Sequence, residues 1–147
     1  MQKVTLFLIS ALILATVSFS GCNKPNPNID LLYKKWKLVA FVNESDGTNR
    51  PPQPDSPNNY WIEFKTDNTL TGVSSTNALT GTFDIRNNST ISISSWGSTD
   101  INELFDGELF IESLCSSQHF SVTATELKLF YSDTEYLLFN IYQNETE

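Results

Sequence analysis

The sequence predicts a mainly β fold. It is read as an antiparallel meander of about eight strands, forming a bent sheet or partly open barrel, with one helix (residues 99–116) packed on it. Three observations carry this. Apolar and polar residues alternate in eight separate stretches, the mark of half-buried strands. Short turns join many of these stretches, with Asn or Asp at the bend, and such turns make antiparallel neighbours. One stretch, Thr99 to Ser116, switches to apolar spacings of three and four, as on one face of a helix.

The elements follow in chain order. A short helical turn is expected at Ile29 to Tyr33, with Asn28 or Asp30 as its cap. Trp36 to Asn43 (WKLVAFVN) is the first strand, with Trp36, Leu38, Ala40 and Val42 on one face. Ser45 to Asn59 (SDGTNRPPQPDSPNN) contains four prolines, which argues against strand or helix and predicts a long exposed loop. Tyr60 to Lys65 alternates Tyr60, Ile62 and Phe64 against Trp61, Glu63 and Lys65. Asp67-Asn68 turns the chain into a strand from Thr69 to Ser74. Thr80 to Arg86 directs Phe83 and Ile85 inward; Asn87-Asn88 turns again, and Thr90 to Ser95 sends Ile91 and Ile93 to one side. The helix stretch (TDINELFDGELFIESLCS) groups Leu104, Phe105, Leu109, Phe110, Ile111, Leu114 and Cys115 on one broad apolar side. Thr99 or Asp106 would cap it, Gly107 would make its first turn irregular, and Cys115 would be a buried, inert thiol. Three strands close the chain, at Phe120–Thr123, Glu126–Tyr131 and Glu135–Tyr142. The helix is expected to cover one opening of the sheet.

Ahead of this domain, Lys3 precedes a mostly apolar run from Val4 to Phe19. The run is shorter than the ~20 residues of a membrane-spanning helix and is diluted by Thr5, Ser10, Thr16 and Ser18. It has the build of a secretory signal. It ends in Phe19-Ser20-Gly21-Cys22, which resembles the bacterial lipobox. That resemblance implies cleavage before Cys22 and a diacylglyceryl group on its thiol. The alternative is an ordinary secreted protein with an unpaired cysteine. On the lipobox reading, residues 1–21 are a lipoprotein signal peptide and residues 22–30 a tether (Asn23 to Asn28 is NKPNPN, too polar and Pro-rich to pack). Residues 31–142 are then the β domain and residues 143–147 a tail. With Cys22 acylated, Cys115 is the remaining thiol, and no intrachain disulfide is possible.

The formal net charge is −8. Such a field repels phosphate backbones, which argues against nucleic-acid binding. It argues equally against a grip on anionic lipid, so attachment to a membrane falls to acyl chains on Cys22.

Three stretches are similar to a known family. They are Tyr33 to Val39 (YKKWKLV), Gly72 to Phe83 (GVSSTNALTGTF), and the closing helix followed by Leu127-Lys128-Leu129 and Tyr136-Leu137-Leu138-Phe139. Together they resemble the META domain of bacterial envelope lipoproteins, with Thr76 at the family's central cysteine. The resemblance implies a barrel-like antiparallel sheet with a helix, and residence at the outer membrane facing the periplasm. The family offers no established enzymatic activity to carry over, and for some members the resemblance implies a link to stress or secretion-system support.

Candidate sites are few. Trp36, Gly72, Asn77 and Gly81 are structural motif positions. The Asn77 amide is expected to bond nearby backbone, and the two glycines to permit bends or bulges. His119 is the one histidine. It has no Cys or His partner for a zinc site and would have to serve a catalytic triad alone. The sequence therefore points away from an enzyme, a metal and a cofactor. The expected working surface is the outward face around Trp61 and the Ser45–Asn59 loop, meeting an envelope protein. The alternative is a barrel interior that holds an acyl chain or another small apolar ligand.

Overall fold

The structure, a computed structural model, describes residues 28–98 and 102–143, with the side chains of residues 95–98 left aside. The signal peptide, Cys22 and most of the tether, the expected helix start at Thr99 and the tail beyond Gln143 lie outside the described residues.

The eight expected strands are all present, joined by a ninth. They are β1 (Lys35–Asn43), β2 (Thr48–Arg50), β3 (Trp61–Phe64), β4 (Thr69–Val73), β5 (Ala78–Arg86), β6 (Thr90–Ser98), β7 (His119–Val122), β8 (Glu126–Phe130) and β9 (Glu135–Ile141). A 3-10 turn, Ile29–Leu31, precedes them, and the Asn28 side chain accepts from the Asp30 amide as its cap. Consecutive strands pair antiparallel, and β1 also pairs with β9, from Trp36 opposite Ile141 to Asn43 opposite Glu135. Eight strands thus close into a barrel, with β2 added along the upper edge of β1. The thinnest seam is β6–β7, where Thr90 opposite His119 is the one paired position.

The turns read as expected. Asn68, Asn87 and Asn88 all take positive φ, at 65°, 51° and 57°, a backbone region that short amide side chains tolerate. At Gly72 a Cβ would lie 2.5 Å from the Trp61 carbonyl. Only glycine lets β3 and β4 approach this closely. The register of β5 on β6 breaks between Thr80 and Thr82, at Gly81.

Three expectations need correction. The first concerns the inner face of β1. Its register on β9 shifts between Leu38 and Ala40. That bulge re-phases the strand. Trp36, Leu38 and Phe41 face the main core, while Ala40 and Val42 join Tyr136 in a separate cluster. The second concerns the proline-rich segment, which does contain a strand. β3 pairs β1 only along Lys35–Lys37, so the edge at Phe41–Asn43 is open, and Thr48–Arg50 pairs it before the first proline. The third concerns the helix. It spans Gly107–Cys115 rather than residues 99–116. Phe105, at φ 51°, cannot continue a right-handed helix back through it.

An eight-stranded barrel of this size is filled by its own side chains. Trp36, Tyr60, Phe64, Phe110 and Phe139 are all fully buried, and Phe110 of the helix, α1, meets the Tyr60 ring edge-on at 5.5 Å. The Trp36 indole N–H, deep inside, donates to the Leu32 carbonyl at 2.9 Å. That bond spares the core an unpaired donor.

The meander alternates direction, so its connections divide between two poles. The turns at 65–68, 87–89 and 123–125 lie at the pole where the 3-10 turn enters. There Lys34 Nζ donates to the Ala124 carbonyl and the Phe64 amide to the Lys34 carbonyl. The 44–59 loop, the β4–β5 turn and residues 102–106 lie at the other pole.

Candidate functional site

The far pole is built around two carboxylates. The β4–β5 turn, Ser74-Ser75-Thr76-Asn77, is closed by the Ser74 amide donating to the Asn77 carbonyl at 2.9 Å. It forms a cradle that the Glu103 carboxylate fills. Ser74 Oγ donates to Oε1 at 2.5 Å and Asn77 Nδ2 to the same oxygen at 2.6 Å. Ser75 Oγ lies 2.8 Å from Oε2 and 2.6 Å from the Leu104 carbonyl, its single proton serving one acceptor at a time. Thr76 Oγ1 lies 3.3 Å from Oε2 and accepts from the Leu104 amide at 3.2 Å. Partial burial pushes the Glu103 pKa up, but the hydrogen bonds from Ser74, Asn77, Ser75 and Thr76 outweigh it and hold the group below its ordinary value.

Asp106, three residues on, is the second anchor. Its carboxylate takes Arg50 Nη1 at 2.7 Å, Arg50 Nη2 at 3.1 Å and the Gln53 amide at 2.7 Å. Here too burial raises the pKa and the bonds to Arg50 and Gln53 lower it further, so the net shift is downward. Gln53 is a hub. Its carbonyl accepts from the Tyr60 hydroxyl and from the Asp106 amide. The proline-rich loop is therefore pinned rather than loose. Pro52 is buried, and Lys37 Nζ donates to the Ser56 and Asn59 carbonyls.

Between these anchors, and on the first turn of the helix beyond them, the chain turns apolar side chains outward. Phe105 is 74% exposed, Leu104 54% and Leu109 39%. They are the exposed large hydrophobics among the described residues. A positive φ on an aromatic residue costs of order 1–3 kcal/mol and persists only where the surroundings impose it. Glu103 and Asp106, on either side of Leu104 and Phe105, impose it here. A cleft of about 530 Å³ adjoins the patch, lined by Asn102, Glu103, Glu108, Ile111 and Glu112.

The residues singled out from sequence lie elsewhere, Asn77 excepted. Trp61 faces outward but is half-buried. Lys35 Nζ stands 3.7 Å from its ring centre, and the Tyr142 ring packs at 6.2 Å. Trp36 is core, and Gly72 and Gly81 shape the sheet. His119 is exposed and lines a cleft of about 220 Å³ with Gln118, Phe130, Ser132 and Asp133. Cys115 was expected on the inner helix face and is instead exposed. The nine-residue helix buries Phe110 and Leu114, one turn apart, and turns Cys115 away from that stripe. Leu104, Phe105 and Leu109, expected on the same inner side, are corrected likewise. Sequence reasoning missed Glu103 and Arg50, and it read Asp106 as a helix cap, the position Asp106 holds, but not as the partner of Arg50 and Gln53. The available signal was the polar SSTN turn, which has more donors than its own backbone needs.

No family model matches the chain, and no curated protein does. Among solved structures it is similar to a protein from Burkholderia xenovorans determined by NMR, with a TM-score of 0.64 at 16% identity, covering 96% of this chain and 100% of that one. It is also similar to a DUF4847 family protein from Bacteroides vulgatus ATCC 8482, with a TM-score of 0.56 at 19% identity, covering 78% of this chain and 96% of that one. A third, also an NMR structure, has a TM-score of 0.52 at 18% identity. At such identities the likeness shows the fold alone. The META resemblance does not hold, because the named family among these neighbours is DUF4847. Gly72 to Phe83, which carried much of the resemblance, follows the local needs of the tight β4–β5 hairpin, and a barrel of another family meets the same needs.

Proposed function

We propose that this chain is a lipid-anchored, non-catalytic protein of the bacterial envelope, held at the outer membrane by acyl chains on Cys22 and working through protein contacts. The carrying observation is the pole-to-pole arrangement. Asn28, six residues after Cys22, enters the barrel at one pole, and the exposed Leu104, Phe105 and Leu109 stand at the other. An anchor at the first pole turns the apolar patch away from the membrane, toward the periplasm. The filled interior supports a surface role over an acyl-chain cavity, since Trp36, Tyr60, Phe64, Phe110 and Phe139 occupy the space such a ligand needs. Trp61, flanked by Lys35 and Tyr142, offers less bare apolar surface than Phe105.

The test has two arms. Cys22→Ala abolishes labelled-palmitate incorporation and releases the protein from membranes; retention of both overturns the anchor. A photo-crosslinking residue at position 105, in cells, gives a protein adduct that the same residue at position 84, on the barrel wall, does not. No adduct at 105, or equal adducts at both positions, overturns the working surface.

A further inference from the structure

We infer that the Leu104–Phe105–Leu109 patch docks a protein with an apolar pocket flanked by lysine or arginine. This rests on the reading of the far pole as the contact surface and adds the chemistry of the partner.

Charge is left over at this pole. Of the carboxylates at this pole, Glu103 is satisfied by the β4–β5 cradle and Asp106 by Arg50 and Gln53. Glu108 and Glu112 are not in any ion pair among the described residues. They are exposed, stand four residues apart on α1, and line the cleft beside the patch with Ile111. Like charges at this spacing repel and weaken the helix that carries them. Two cations of this pole are already engaged, Arg50 by Asp106 and Lys37 by the loop carbonyls. A basic side chain from outside, entering the cleft, would relieve the repulsion.

The apolar side chains add the anchor. Phe105 is the most exposed of them, and its backbone is fixed by hydrogen bonds on both sides, so little ordering entropy remains to be lost on docking. Phenylalanine is among the side chains enriched at the cores of protein interfaces, within a rim whose charges set the choice of partner. Other occupants fit less well. A second copy in a two-fold contact would bring Glu108 and Glu112 against themselves. An anionic lipid surface meets the same repulsion. The described part of the chain begins at Asn28, at the opposite pole.

NMR titration of the folded protein with two synthetic amphipathic peptides of equal length tests this. One peptide is built of Leu and Lys, the other of Leu and Glu. The Leu/Lys peptide shifts amides confined to residues 102–112, binds roughly tenfold more tightly than the Leu/Glu peptide, and weakens with added salt. Glu108→Lys with Glu112→Lys removes that preference while Phe105→Ser weakens both peptides. Equal binding of both peptides to the patch overturns the basic partner and leaves the contact surface standing. Shifts spread over acidic side chains elsewhere, such as Asp84 and Asp133, overturn the docking chemistry as mere net charge. No shift at residues 102–112 with either peptide overturns both readings.

Discussion

Asp106 grips both terminal nitrogens of Arg50, at 2.7 and 3.1 Å, and so ties the start of the helix to the strand that extends β1. The guanidinium is 43% exposed and the carboxylate 17%. That difference sets the expected costs. Arg50→Ala removes a partly solvated partner and costs about 0.5–1 kcal/mol. Asp106→Asn also weakens the acceptor of the Gln53 amide and costs about 1–2 kcal/mol. Urea unfolding measures both. The double variant costs less than the sum, because the two residues share one interaction. A fully additive double variant would show that the pair is not coupled.

Gly107→Ala sets two effects against each other. Alanine in a helix is worth about 1 kcal/mol over glycine. Here, however, the added methyl group would collide with the Glu103 carboxylate and the Ser75 hydroxyl. Relieving the collision means lifting Glu103 from its cradle or shifting the helix, and overpacking of this kind costs about 1–3 kcal/mol. Net destabilisation is expected, by thermal or urea unfolding. A variant as stable as the parent would mean that the cradle yields freely.

Acid should loosen the same pole. Glu103 and Asp106 are both held below their ordinary pKa in the folded protein. A carboxyl with a depressed folded pKa contributes stability that is complete above its unfolded value, about 4. The contribution is lost as pH falls through the folded value. The urea midpoint is therefore level, as far as these two groups go, from neutrality down to about pH 5, and falls below about pH 4. In the Glu103→Gln, Asp106→Asn double variant the acid fall is smaller. An unchanged fall in that variant would assign acid sensitivity to other groups.

Thiol chemistry distinguishes the two helix orientations. In a Cys22→Ser variant, a thiol reagent labels Cys115 in the native state, because Cys115 is exposed. Labelling that appears only after unfolding would restore the buried thiol read from sequence.

The sequence carried the sheet well and the far pole poorly. Strands such as Trp61–Phe64 and Glu126–Phe130 keep an unbroken two-residue alternation, and their burial follows it. The bulge in β1 left no trace, because Ala40, Phe41 and Val42 are all apolar and fit either phase. β2 was invisible, since Thr48, Asn49 and Arg50 are exposed throughout, and what holds them is backbone pairing with β1 and the Arg50–Asp106 pair. The helix was overextended because apolar spacing continues back through Leu104 and Phe105. What turns those two outward is contact with residues distant in sequence, Asn77 to Glu103 and Arg50 to Asp106. No local pattern encodes a partner that far along the chain.

Closure of β1 on β9 makes the strand order cyclic. The Tyr142 amide donates to the Lys35 carbonyl at 2.9 Å, so the two ends of the barrel sequence are immediate neighbours. A short linker between them, with the chain reopened at Asn87-Asn88, would give a circular permutant with the same neighbours around the barrel. Its new ends would emerge at the pole of the 3-10 turn, leaving residues 102–112 unobstructed. A fluorophore or affinity handle placed after Tyr142 shares that advantage, since it too lies across the barrel from Phe105.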